Sequence, residues 1–272
     1  MIAIVTDSTV CMTRREAKRL AVHIVPQTYH ILGQVYTEGF EDENGKFEEL
    51  LRLYGSTAKT AHANIGSFLS TYETLLEKGF EILVITMSSR LSGAYSAAVM
   101  AAREAGGRVR VVDSLTTAGG LLLLIRAARE YERTGKTLDE TAAFALEQRD
   151  RICTVFSVES MDSLRRSGRI GFVRQSVTTI LNIRPVLMCR DGMVVAEGIE
   201  RGQNALISRM ASMIPENAKQ ALLMDAGNRK KLALLREEIE KKRPGLALGA
   251  SKIGPVLSIH LGPGVFGVAW MV

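Results

Sequence analysis

The stretch SSRLSGAY, residues 88–95, crowds Ser88, Ser89, Ser92 and Gly93 into the joint between an apolar run and a helix-forming run. Such a joint aims free backbone N–H groups forward of the helix, and a neighbouring hydroxyl adds a donor, so it suits the holding of an anion. The competing role is local, because Ser92 is also a good N-cap for the helix GAYSAAVMAA. Three more polar stretches fall at the ends of expected strands or just before helices: TDST (6–9), KTAHANIGSF (59–68) and IGPVLSIHLGPGVFG (253–267). The same two roles compete in each. Asp7 and Ser8 cap the first helix or face a ligand, and Thr60 and Asn64 cap a helix starting near Gly66 or face a ligand. His260 is either a satisfied core or turn residue or a ligand donor, beside glycines and prolines that let backbone approach closely.

Other chemistries lack their signatures. There is no G-x-S-x-G elbow, Walker loop or H-E-x-x-H helix, and GGLLLL lacks the dinucleotide-binding spacing. The four histidines, His23, His30, His62 and His260, are too scattered to read as a metal site. Cys11, Cys153 and Cys189 lack ligand spacing; Cys153 and Cys189 sit among apolar residues, which fits a reducing cytoplasm. No metal or cofactor is expected. The net charge of +6 is spread over faces such as LREEIEKKRP, where bases alternate with acids, which argues against a nucleic-acid track. The denser cluster SLRRSGRIGFVR, 163–174, is a partner or ligand contact or plain surface.

The elements that position these groups follow an α/β rhythm. MIAIVTD, EILVITM and RVRVVDS read as buried strands, TRREAKRLA as a helix, and VHIVPQTYHI as one or two short strands. ENGKFEELLRLYG and IGSFLSTYETLLEKG read as glycine-ended helices. A long helix is expected from about Thr116 to Thr134; its apolar run breaks at Arg126, short of a membrane span. TLDE at 137–140 is a capping box. The pattern predicts a mostly parallel, doubly wound sheet for residues 1–150. Residues 151–272 predict an α+β unit: a hairpin turning at RDG, helices near 203–213 and 228–242, and strands at QALLMDA, LALGASKI and FGVAWMV. The amino end lacks the order of a signal peptide.

Taken in order, IAIVTDST, SSRLSGAYSAA, VVDSLTTAGGLLLL, SLRRSGRIG, LNIRPVL…DG and IGPVLSIHLGPGVFGVAW resemble the DegV family over nearly the whole chain. These are bacterial fatty-acid-binding proteins that serve as subunits of fatty acid kinase. The resemblance implies a two-domain α/β protein with a long-chain fatty acid in a tunnel between the domains, its carboxylate presented to a kinase catalytic subunit that converts it to an acyl phosphate. Thr60, Ser92, Gly93 and His260 match the family's head-group residues; His62 and Asn64 are added as candidates. Arg169 matches an arginine implicated in engaging the kinase, and Arg201 in GIERGQ matches a second. TAHAN replaces the family's usual Thr-Ser-Gln-Pro-Ser, and Ala94 stands where threonine is common, so His62 is a substitute donor or a surface residue. The Arg201 segment lacks the family's usual threonine and basic residues. Lipid exchange calls for part of the tunnel wall to open and for transient contact with a membrane surface, with the helix near GFVRQSVTTILN (171–182) expected as a lid or a membrane-touching element. Two other classes stand against this: an enzyme acting on a small acidic substrate with His260 as acid or base, and a regulatory module that docks a protein through RRSGRIG.

Overall fold

The structure is a computed structural model that describes residues 1–45, 47–170 and 183–272. Its first part runs β1 (Ile2–Asp7), α1 (Arg14–Leu20), β2 (Val22–Val25), β3 (Thr28–Ile31), β4 (Gln34–Thr37), α2 (Phe47–Tyr54), β5 (Lys59–Ala61), α3 (Ile65–Glu77), β6 (Glu81–Thr86), α4 (Ala94–Ala105), β7 (Val109–Asp113), α5 (Ala118–Glu132) and α6 (Leu138–Gln148). It continues β8 (Ile152–Ser157), α7 (Asp162–Ser167), β9 (Ile183–Arg190), β10 (Met193–Arg201), α8 (Gln203–Ser212), β11 (Gln220–Asp225), α9 (Arg229–Lys242), β12 (Ala247–Lys252), α10 (Pro255–Leu261) and β13 (Phe266–Met271).

The protein is mixed α/β, with a parallel sheet and a second, larger sheet. The parallel sheet has the order β2-β1-β6-β7. Its two central strands, IAIVTD and EILVIT, are apolar and buried almost throughout, as strands covered on both faces must be. Phe68, Tyr72, Ala97 and Ala101 of α3 and α4 pack on one face, and the leucines of α5 belong to the core on the other. The second sheet has the order β10-β9-β8-β13-β11-β12; β11 and β12 are parallel and the other pairs antiparallel. Its far face is covered by α8 and α9 through Leu206, Met210, Leu235 and Ile239.

Helix α5 lies between the two sheets, which explains its GGLLLL composition. A Cβ on Gly119 would stand 2.6 Å from Met224 Sδ and 3.3 Å from the Cβ atoms of Leu222 and Ala269, so a larger residue there would require Met224 to shift. Leu121 to Ile125 are buried. Arg129, 4% exposed, donates to the carbonyls of Leu20 (2.8 Å), Ile2 (3.1 Å) and Ala21 (3.1 Å), so its charge enters the core with its donors satisfied. Among the described residues, no helix is long and apolar enough to cross a membrane.

The capping box forms as expected, with Glu140 N–H on Thr137 Oγ1 and Thr137 N–H on Glu140 Oε2. The RDG turn closes the β9–β10 hairpin, with Arg190 opposite Met193. VHIVPQTYHI forms two short strands, as the sequence allowed, split at Pro26 between two sheets: β2 joins the parallel sheet, and β3 joins a small antiparallel sheet of order β4-β3-β5. Three details differ from the sequence expectations. Residues 255–261, expected to lead into a turn, form α10, with Pro255 in its first turn where a missing N–H costs nothing. Asp7 and Ser8 do not cap α1, whose N-cap is Thr13; Asp7 caps a short 3-10 turn instead. The N-cap of α4 is Gly93 rather than Ser92, because the chain enters the helix one residue later; Ser92 Oγ accepts from Ala94 N–H at 3.3 Å. The segment 171–182, expected to be a lid, lies outside the described residues.

Candidate functional site

Thr60 and His260, 200 residues apart, meet because β5 and α10 both lie against β3 and against each other. β5 pairs antiparallel to β3 with Thr60 opposite Tyr29, and α10 buries Ile259 against Tyr29, Ile31 and Leu51. His260 thereby faces β5, with its Nε2 2.7 Å from Thr60 Oγ1. The start of α10 is held by Glu38, a residue the sequence did not mark: Val256 N–H donates to its Oε1 at 2.9 Å and the Ser8 hydroxyl to its Oε2 at 2.5 Å.

Ser92 and Gly93 arrive from the end of the parallel sheet through the loop after β6. Ser88 secures that loop by donating its hydroxyl to Gly192 O at 2.7 Å, tying it to the turn of the β9–β10 hairpin. His62 Nδ1–H donates to Ala63 O at 2.9 Å, and its ring edge lies over Gly93, where a Cβ would stand 2.7 Å from Nε2. Glycine at 93 therefore makes room for the histidine, and both line the same cavity.

That cavity has a volume of about 130 Å³ and is open in part to solvent. Its walls come from the second sheet, from the segments that follow β2 and β6, and from α10. Met87, Phe156, Met224, Ile253, Leu257 and Val265 make it apolar, while Thr60, His62, Ser92, Gly93, Arg169 and His260 bring the polar groups. Gln27, also on the wall, is held by donating Nε2–H to Asp7 Oδ1 at 3.1 Å. Burial, with the positive charge of Arg169 second, lowers His260 to about 4, so its imidazole is neutral near pH 7. Thr60 and His260 thus share one hydrogen bond and keep donor capacity for a third group, and the nearby guanidinium favours an anion there.

Of the other expected site residues, Asn64 and Arg201 lie apart. Asn64 Oδ1 accepts from Ser67 N–H (2.9 Å) and from the Ser67 hydroxyl (3.1 Å), capping α3, and it does not line the cavity. Arg201 ends β10 opposite Ile183, at the open end of the hairpin whose turn rests on Ser88. Arg169, which the resemblance assigns to the kinase contact, is exposed and also borders the cavity. Gln27, Glu38 and Met87 carried no sequence signal, since nothing local distinguishes them from ordinary strand-end residues. Among the described residues, no group of three or more His, Cys, Asp or Glu could hold a metal ion.

Comparison with known proteins places this architecture. The sequence profile of the family described as "uncharacterised protein, DegV family" matches residues 1–272. A DegV domain-containing protein of Deinococcus radiodurans is 32% identical over 98% of this chain and 97% of its own length. A Thermotoga maritima protein named fatty acid-binding protein is 30% identical over 83% of this chain and 81% of its own length. The solved structure of a fatty-acid-binding DegV family protein from Thermus thermophilus superposes with a TM-score of 0.90 at 29% identity, covering 100% of this chain and 99% of that one. With the profile matched from the first residue to the last, the chain belongs to the DegV family.

Proposed function

We propose that the protein binds a long-chain fatty acid, with the tail in the apolar cavity and the carboxylate against Thr60, Ser92, Gly93 and His260, and presents that carboxylate to a kinase subunit in the cytoplasm. The observation that carries this reading is the union of one apolar cavity with one polar corner, where the 2.7 Å Thr60–His260 pair stands beside Arg169. A fatty acid has this same division. About fifteen methylenes at roughly 0.8 kcal/mol each supply about 12 kcal/mol of gross transfer energy, from which the cost of immobilising the chain is subtracted. The polar corner adds less affinity but sets which end of the chain lies where. That relatives in Thermotoga and Thermus are described as fatty-acid binders supports the ligand class.

In the kinase step a carboxylate oxygen takes the γ-phosphoryl group of a nucleoside triphosphate held by the partner, leaving the nucleoside diphosphate and an acyl phosphate. Arg169 is the contact to that partner that the resemblance implies, with Arg201 as the second. Uptake and release proceed through transient contact with a membrane surface. The alternative, an enzyme using His260 as a base, draws no support from the electrostatics: an imidazole at about 4 is a weak base at neutral pH.

Mass spectrometry of lipid extracted from the purified protein, followed by titration of the stripped protein with palmitate, tests the proposal. Recovery of acyl chains and saturable 1:1 binding are expected. An empty extract together with no uptake of palmitate overturns it.

A further inference from the structure

Gln27 lies on the wall of the apolar cavity at 2% exposure, and all but one of its polar groups are engaged. Its backbone N–H donates to Ser8 Oγ at 3.1 Å, and its backbone carbonyl accepts from Glu38 N–H at 2.9 Å. Its side-chain amide nitrogen donates to Asp7 Oδ1 at 3.1 Å and to Met87 Sδ at 3.5 Å. Both of those partners are acceptors, so the nitrogen must face them and the amide cannot be turned over. The side-chain oxygen is left over: among the described residues, nothing donates to Gln27 Oε1.

Thr117, on the same wall, adds a second idle group. It sits at the N-cap of α5 without capping it, and its hydroxyl is buried with no hydrogen-bond partner among the described residues. The two residues flank the end of β6: Gln27 touches Met87, while Ser88 N–H donates to the carbonyl of Thr116 at 2.8 Å. A saturated acyl chain satisfies neither group, and covering an amide carbonyl with methylenes costs free energy that a donor would recover. An ionised carboxylate has no proton to give, so the head group cannot serve Gln27 Oε1 either. The donor has to come from the chain of the ligand.

We propose that the cavity is built for an acyl chain that carries a hydroxyl group along its length, the hydroxyl donating to Gln27 Oε1 and accepting from the hydroxyl of Thr117. The proposal rests on the fatty-acid reading for the place of the chain, and it makes Gln27 and Thr117 the residues that select among fatty acids. With the carboxylate end fixed, only a hydroxyl at one depth reaches the pair. The selection is therefore for a position on the chain as well as for the group.

Calorimetry at pH 7.5 on the full chain, stripped of lipid, compares stearate with a series of racemic hydroxystearates whose hydroxyl is moved from the carboxyl end to the methyl end. One position, with its immediate neighbours, is expected to bind at least about tenfold more tightly than stearate. Remote positions should bind more weakly than stearate, because their hydroxyl is buried without a partner. In Gln27→Leu stearate should gain affinity, an apolar wall having replaced an unpaired carbonyl, and the preferred hydroxystearate should lose it, so that the ratio of the two falls to about one. Thr117→Val, which leaves the Asp7 cluster intact, should lower the same ratio about threefold. A series that never binds better than stearate, as when solvent serves Gln27 Oε1, overturns the proposal, as does a preference that survives Gln27→Leu. A parent that binds neither stearate nor any hydroxystearate strikes the fatty-acid reading itself, in an arm that involves neither variant.

Discussion

Two polar clusters meet at α10, one buried and closed on itself, the other half-buried and open. Asp7, fully buried, accepts from Thr9 N–H (3.1 Å), the Thr9 hydroxyl (2.6 Å), Gln27 Nε2 (3.1 Å) and Met87 N–H (2.7 Å). Glu38, 2% exposed, accepts one hydrogen bond at each oxygen, from the Ser8 hydroxyl and Val256 N–H. Thr60 and His260 share one bond, border a cavity and keep hydrogen-bonding capacity. A buried polar cluster whose partners all lie within the protein stabilises structure, whereas one with capacity facing a void is available to a ligand. The closed cluster still serves the open one, because it orients Gln27 and Met87 on the cavity wall and anchors the start of the helix that carries His260.

The sharpest way to break this contrast is Asp7→Ala. Four donors lose their acceptor, so a stability loss of about 3–4 kcal/mol is expected in urea unfolding. Full stability combined with lost palmitate binding would instead make Asp7 part of the ligand site.

Glu38→Gln is next. Burial, the largest cause, raises Glu38 from 4.5 to about 7, so the folded state binds its proton more tightly than the unfolded state. That contribution is complete below pH 4.5 and is lost as pH rises through 7, up to about 3 kcal/mol. The variant should lack this fall, which melting temperatures at pH 5 and pH 8 measure. His260 has the opposite sign: with its folded value at about 4, below the ordinary 6.5, stability falls as pH drops from 6.5 toward 4, and His260→Ala should remove that loss.

On the open side, Ser92→Ala and His260→Ala should each weaken palmitate about tenfold while leaving hexadecanol within about threefold, since only the acid uses a charge-assisted contact. Equal losses would argue against carboxylate recognition. The smallest effect is expected at Asn64→Ala: about 1 kcal/mol of stability from the lost cap of α3, with palmitate affinity unchanged. A clear drop in affinity there would extend the proposed carboxylate site beyond the cavity wall.

Legibility in the sequence followed locality. The parallel strands, the capping box at Thr137, the RDG hairpin and the buried α5 depend on contiguous residues, and each was readable from composition and spacing. β5 is three residues long and α10 seven, so neither develops a full periodic signal. Ser92 and Gly93 were legible as a strand-to-helix joint, but which of them caps α4 was settled by one backbone conformation. Arg169 read as surface, and its second position beside His260 depends on where α7 packs against α10.

The sequence by itself determined the α/β class, the order of the main strands and helices and the polar stretches at their ends, because hydrophobic period and turn chemistry act within a few residues. Only the tertiary structure decided that Thr60 and His260 form a pair, that Glu38 holds α10, that His62 rests on Gly93 and that Asn64 serves its own helix. Those outcomes depend on contacts between residues far apart in the chain, which packing selects and no local pattern encodes.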